Sequence, residues 1–479
     1  MKLSEYVQYD ATGLAHLVST GEVTAVELTR LARQAYDEVN SRINAVIEFY
    51  EDAETVASSD SGFFHGVPFL RKDVGPSESG RLQEKGSRLF KGHRPTTDSF
   101  YFNRARAAGL RTVGRTTTPE LAISGATESI INGITRNPWN LDRTAGGSSG
   151  GAAAAVAAGI TPIAHASDGG GSTRGPAAWC GLVGLNPSRG RVSGGPHQQD
   201  VTFGLSRSFV LCRTVRDMAA ALDVFSGSHL GDPFTIVQPE RSYVTELTQR
   251  TGTLKIGVAR TTWGTLDLEP EVLQAVDSTA SLLEEMGHAV TEIKAPFNYQ
   301  EFIEIILLCS DLDAASLEAA ARAMGREISP DTLEPVTLKL YERGRKQPLS
   351  IWNEVDEGFR RLRFRVAEAI HSFDILLTPT QPIVAHPHST DYSLTHPTIS
   401  AEEWTQKVYK GCHMPLFNIT GQPSVSLPLA QSTDGLPIGL QIVGRFGDEA
   451  TLVRIARDLE EARPWRDRQP MVRAGGRYA

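Results

Sequence analysis

The chain has 479 residues, 40% hydrophobic and 22% charged, the balance of an ordinary globular protein and not of a disordered one. Its formal charge of −8, from 48 basic and 56 acidic residues, is spread without a basic stripe, which argues against nucleic acid as the main ligand. Cys180, Cys212, Cys309 and Cys412 show neither metal-type nor disulfide-framework spacing, so a reducing, cytoplasmic setting is expected.

The opening residues MKLSEYVQYDATG lack the apolar core of a signal peptide. The alanine run after Gly151 is short, and Glu304 interrupts Phe302 to Cys309; neither reaches the roughly 20 residues of a membrane span. Residues 10–40 read as two helices. Thr24-Ala-Val-Glu27 fits a capping box, followed by apolar residues at Val26, Leu28, Leu31, Ala32, Ala35 and Val39. Strands follow at Asn44–Phe49 and Gly66–Leu70, the second running straight into Arg71-Lys72-Asp73. Asp98 is positioned to cap a helix carrying Phe102, Ala105 and Ala108, closed by Gly109, and Leu110–Gly114 reads as a small-residue strand. Thr118-Pro119-Glu120 has the form of a helix start.

Then come two serines 24 residues apart, each in a glycine-rich turn: Ser148 in GGSSGG and Ser172 in DGGGSTRG. Beyond them lie a strand at Leu254–Val258, a helix from Pro270 to about Met286, and strands at His288–Ile293 and Asp374–Thr378. This alternation predicts an α/β fold with a large mixed, mostly parallel sheet covered by helices on both faces. One domain over residues 1–479 is expected. Its core would lie at about 60–225 and 371–465, with a variable, mostly helical region at about 227–370.

Glycines flanking a serine leave backbone amides uncovered, free to face a developing negative charge. A serine hydroxyl is a weak nucleophile and needs a base, which can be a lysine kept neutral by burial. Lys72 leaves the end of an apolar strand, which makes it the candidate base. In Asp168-Gly169-Gly170-Gly171-Ser172 a run of amides ends on a hydroxyl, and Asp168 can pair with Arg174 to hold the loop's shape. Neither turn fits a phosphate or dinucleotide motif. Gly146-Gly147-Ser148-Ser149-Gly150 also matches the G-x-S-x-G elbow of α/β-hydrolases, which would need Asp374 with His386 or His413 and would leave the second serine turn unexplained. His386 and His388 lie among prolines in a loop, and neither metal nor cofactor is expected.

Taken together, GVPFLRKDVG, TRNPWNLDRTAGGSSGG, the DGGGSTR turn, PAAWCGLVGL, RGRVS, LLTPT, FNITGQPSVSLP, GLPIGLQIVG and LEEARPW resemble the amidase signature family along nearly the whole chain. The resemblance implies an amide hydrolase with Lys72 as base, Ser148 as bridging serine and Ser172 as acylated nucleophile. It also implies a cis peptide between Gly147 and Ser148, and an oxyanion hole from Gly169, Gly170, Gly171 and the Ser172 amide. The chain departs from many relatives at Asn186, where they carry lysine, and at Gly175, where they carry a larger residue. Leu121–Thr127 is similar to the segment lining the acyl pocket, so Ala122 and Gly125 suggest a roomy apolar pocket. The motif spacing and Cys309 are similar to the family's bacterial hydrolases of cyclic nylon-oligomer amides. The expected partner is a small amide substrate, with no nucleic acid and no membrane, and a homodimer is a candidate assembly. Esters, carbamates or hydrazides are alternative substrates for the same machinery. The rival reading is the glutamine-hydrolysing subunit of a tRNA-dependent amidotransferase, although no set of charged groups for a glutamine is legible.

Overall fold

The structure is a computed structural model describing residues 1–198, 203–388, 392–411 and 413–476, so Cys412 lies outside the described residues. Its frame is an eleven-stranded sheet. In chain order the strands are β1 (Val46–Phe49), β2 (Pro68–Lys72), β3 (Arg111–Thr116), β4 (Ile163–Asp168), β5 (Val183–Asn186) and β6 (Arg207–Cys212). They continue as β7 (Lys255–Val258), β8 (Ala289–Glu292), β9 (Ile375–Pro379), β10 (Ser424–Gln431) and β11 (Pro437–Gly444). Across the sheet the order is β1-β3-β2-β4-β6-β5-β10-β11-β9-β7-β8.

The sheet is mixed, as expected, but not mostly parallel. Parallel pairs join β3 to β2, β2 to β4, β9 to β7 and β7 to β8. The six other pairs, including every one from β4 across to β9, are antiparallel. Two features invert the centre. β6 returns between β4 and β5, and β10 and β11 form a hairpin closed by a turn at Gly435, whose φ of 79° suits glycine. Alternating strands and helices at the two flanks imply parallel pairing but say nothing about this middle.

Both faces are covered, so β2, β3, β4, β9 and β11 are buried at every position, the polar Arg71, Lys72, Arg115, His165 and Asp168 included. The helix Gly150–Ala157, which carries the alanine run, is also wholly buried. Its glycines permit the close approach: a Cβ on Gly151 would stand 2.2 Å from Thr117 Oγ1. A second apolar cluster joins the helices Tyr299–Ala315 and Ile351–Ile370 to the helix His413–Thr420.

Three helix-start expectations change. Thr24 accepts from the Glu27 amide, but the Glu27 carboxylate turns to the Met1 amino group, so only half of the capping box forms. Ser99, not Asp98, caps the helix Phe100–Ala107; the Asp98 carboxylate takes the Ser79 amide and Arg106 instead. Thr118-Pro119-Glu120 opens only a 3-10 turn, Glu120–Ala122, in which Leu121 and Ala122 have φ of 53° and 61°. Here the buried Glu120 carboxylate accepts from Ser87 Oγ and the Glu334 amide, tying the turn to the helix Pro335–Gly344.

Candidate active site

Lys72 ends β2 inside the protein, fully buried between Arg71 and Asp73. Its Nζ lies 2.8 Å from Ser148 Oγ, 2.8 Å from Ser149 Oγ and 3.0 Å from Ser167 Oγ. Burial pushes the amine down to about 7, against the weaker upward pull of Asp168. An uncharged amine has two N–H groups and one lone pair, and the neighbours, which include the Ser167 carbonyl at 3.5 Å, can accommodate both. Ser149 Oγ donates to the Ser167 carbonyl at 3.3 Å, so it meets Lys72 as an acceptor. With Ser167 Oγ able to take the second N–H, the lone pair of an uncharged Lys72 would face the Ser148 hydroxyl.

The peptide between Gly147 and Ser148 is cis. The two serine turns touch through their backbones, the Ser149 amide donating to the Ser172 carbonyl at 3.2 Å. Ser148 is buried, whereas Ser172 is only half-buried, so the hydroxyls run from the interior toward the surface.

Asp168 ends β4 and organises the glycine turn. Its carboxylate holds the Arg174 guanidinium in a two-point pair at 2.8 and 2.9 Å and accepts the amides of Gly171, Thr173 and Arg174. That environment holds it well below the ordinary carboxylate range. The Gly171 bond, at 2.7 Å, removes that amide from the candidate oxyanion donors, because its N–H points at Asp168. Gly171 also has φ of 120°, and a Cβ there would sit 2.8 Å from Met414 Sδ. Gly169 is exposed and Gly170 half-buried, so their amides, with that of Ser172, remain as candidate donors.

The substrate-pocket candidates divide. A Cβ on Gly125 would meet nothing within 4 Å, and Ala122 is half-buried in the left-handed turn beside it, so this wall is open. Cys309 is instead buried in the second apolar cluster, against which Tyr409 packs. Tyr409 reaches the glycine turn, its hydroxyl lying 3.5 Å from where a Cβ on Gly170 would stand. The elbow partners do not assemble: Asp374 pairs with Arg445 and the Lys255 amide, and His413 packs on Trp263.

The amidase family model matches residues 27–453. The chain belongs to the amidase family. It is 35% identical to the 6-aminohexanoate-cyclic-dimer hydrolase of Pseudomonas sp. (strain NK87), over 97% of this chain and 96% of that protein. The solved structure of 6-aminohexanoate cyclic dimer hydrolase complexed with substrate superposes with a TM-score of 0.89 at 33% identity, covering 97% of this chain and 99% of that one. A bacterial aryl acylamidase of the amidase signature family gives 0.85 at 25% identity, covering 96% and 97%. The protein is therefore an amidase-signature hydrolase acting on amides.

Several residues that hold this amidase's site escaped the sequence reading. Ser149 and Ser167 complete the set around Lys72; each adjoins a residue the motifs single out, and that adjacency was the available signal. Asn418 and Gln441 brace Arg174 from the helix before β10 and from β11 respectively, with Gln441 Oε1 2.6 Å from Arg174 Nη1. Asn418 also donates to Asp168. Arg189 and Arg207 donate to the carbonyls of Phe417, Asn418 and Ile419 at the C-terminus of the helix His413–Thr420, where cations offset the helix dipole. Asn186 and Gly175, the two departures, play different parts. Asn186 is a buried β5 residue paired across to Ser424, while Gly175 leaves room for Gln381, whose Nε2 would be 2.7 Å from a Cβ there.

Proposed function

We propose that this amidase cleaves the C–N bond of a small, apolar linear or cyclic amide through an acyl-enzyme on Ser172. The observation that carries the reading is the buried Lys72 Nζ, 2.8 Å from Ser148 Oγ in surroundings suited to an uncharged amine. Ser172 Oγ attacks the substrate carbonyl carbon while its proton passes to Ser148 Oγ and the Ser148 proton passes to Lys72 Nζ. The oxyanion that forms is met by the amides of Gly169, Gly170 and Ser172; one such donor is worth about 3–4 kcal/mol in related chemistry. The proton then returns through Ser148 to the leaving nitrogen as the C–N bond breaks. Water attacks the resulting ester with the same relay as base, releasing the acid and restoring Ser172.

The open wall at Ala122 and Gly125 supports an apolar acyl group, and the names of the relatives direct the search to cyclic and aryl amides. A cytoplasmic setting, read from the cysteines, belongs to the same proposal. The test is a serine-directed fluorophosphonate followed by intact mass. One adduct is expected on the wild type and none on Ser172→Ala, with acylation slowed by several orders of magnitude in Lys72→Ala. An adduct retained in Ser172→Ala, or a wild-type rate in Lys72→Ala, overturns the mechanism.

A further inference from the structure

Main-chain pairing between β2 and β4 runs Phe69 to Ile163 and Leu70 to Ala164, then stops. Lys72 lies two residues further along, and its amide still points toward β4. The acceptor it finds is a side chain: the Lys72 N–H donates to His165 Nδ1 at 3.2 Å. On its other side Lys72 remains in register with Thr116 of β3. The imidazole therefore replaces a missing backbone carbonyl at the residue that carries the candidate base.

The ring is built in. His165 is fully buried, with its ring centroid 4.9 Å from that of Tyr101 and 5.7 Å from that of Phe102. Tyr101 is itself held by a hydrogen bond from its hydroxyl to the Phe209 carbonyl of β6. Accepting from Lys72 requires the Nδ1 lone pair, so the ring is neutral and carries its proton on Nε2. Burial, Lys72 and Arg71 all oppose a second proton on it. The charged or titratable groups around the pair include Arg71, Asp168, Tyr101 and Asp73, whose carboxylate accepts from Arg115 at 3.0 Å, and the neutral ring adds no charge beside Nζ.

We propose that His165 is a positioning residue for Lys72, holding the end of β2 through Nδ1 so that Nζ meets Ser148, Ser149 and Ser167 together. The inference rests on the reading of Lys72 as the base. Three serine hydroxyls fix Nζ at one end of a flexible four-carbon stem, and the ring fixes the backbone at the other. Without the ring, the strand end has an unsatisfied amide in a dry interior, and it moves to find a partner. A misplacement of about 1 Å in such a relay costs roughly 10²-fold in rate.

The test uses three variants and the fluorophosphonate acylation rate from pH 5 to 10. In His165→Asn the side-chain oxygen can stand near the Nδ1 position; in His165→Gln it reaches past it toward Nε2; His165→Leu has no acceptor. His165→Asn is expected within about fivefold of wild type with the same acidic limb. His165→Gln and His165→Leu are expected to slow roughly 10²-fold. Their acidic limbs should move to higher pH, because a displaced Nζ regains water. Should His165→Leu fail to fold, the Asn and Gln pair carries the comparison, with thermal melting confirming that both fold. Equal rates and equal limbs in those two overturn the proposal, as does a slowed rate with an unmoved limb, which marks a merely structural ring. A wild type that takes no adduct overturns the reading of Ser172 and Lys72, and this inference with it; a labelled wild type with indifferent His165 variants overturns only the inference.

Discussion

Replacing Lys72 with methionine should change how the stability of this amidase depends on pH. A lysine in the unfolded chain titrates near 10.5, and burial brings Lys72 in the folded protein to about 7. The folded value is depressed, so between pH 7 and 10.5 the unfolded chain holds a proton that the folded one has released. Wild-type stability therefore rises with pH across that window. Above it no penalty remains, and below pH 7 the whole penalty applies. At about 1.4 kcal/mol per unit that penalty is on the order of 5 kcal/mol, a large share of a typical folding free energy. Methionine fills a similar volume and does not titrate. It leaves three serine hydroxyls short of a partner, but that cost does not vary with pH. The measurement is urea unfolding of both proteins at pH 6, 7, 8 and 9. The difference in unfolding free energy should shift in favour of wild type by roughly 2 kcal/mol from pH 7 to pH 9. A difference that stays flat means that Lys72 keeps its proton in the folded protein. An ammonium cannot accept from Ser148, so the relay would be refuted.

Two further outcomes separate shape from chemistry in the glycine turn and the pocket. Gly171→Ala should destabilise the protein by about 1–3 kcal/mol in urea unfolding, since its φ of 120° and its 2.8 Å approach to Met414 both exclude a Cβ. Gly125→Leu projects into open space and should leave unfolding within about 0.5 kcal/mol of wild type. It should also lower kcat/KM for bulky acyl amides at least tenfold while sparing acetamides, as steady-state kinetics on a size series would show.

Much of this site was legible because its chemistry is carried by contiguous residues. The sequence singles out Ser148, Ser172 and the glycines around them as a proposed relay, and Lys72 by its place at the end of an apolar strand, where its Nζ is found 2.8 Å from Ser148 Oγ. The pairing of Asp168 with Arg174 follows from their six-residue separation across a turn. What stayed hidden depends on the sheet's antiparallel centre. Asn418 and Gln441 reach Arg174 only because β10 pairs with β5 and β11 with β10, and no local pattern near residues 418 or 441 signals that neighbourhood. The Gly171 amide was misassigned for a different reason. Glycine content tells that an N–H is uncovered, but the direction in which it points depends on the carboxylate three residues earlier. Helix starts failed where a buried carboxylate had a stronger claim elsewhere, as Glu120 does with Ser87 and the Glu334 amide.

The bracing of Arg174 bears directly on the state of Lys72. Asp168 is the acidic group that pulls the lysine toward its charged form, and left unpaired in a dry interior it would draw a proton onto Nζ. Instead its two oxygens take six donors: Gly171, Asn418 Nδ2 and Arg174 Nη2 on Oδ1, and Thr173, the Arg174 amide and Arg174 Nε on Oδ2. A carboxylate offers about four lone-pair positions, so it is saturated without the lysine. The guanidinium that shapes the proposed oxyanion turn thereby also neutralises the charge that would disarm Lys72 as the proposed base. Asn418 and Gln441, which keep that guanidinium in place, would support both ends of the proposed relay from more than 240 residues away.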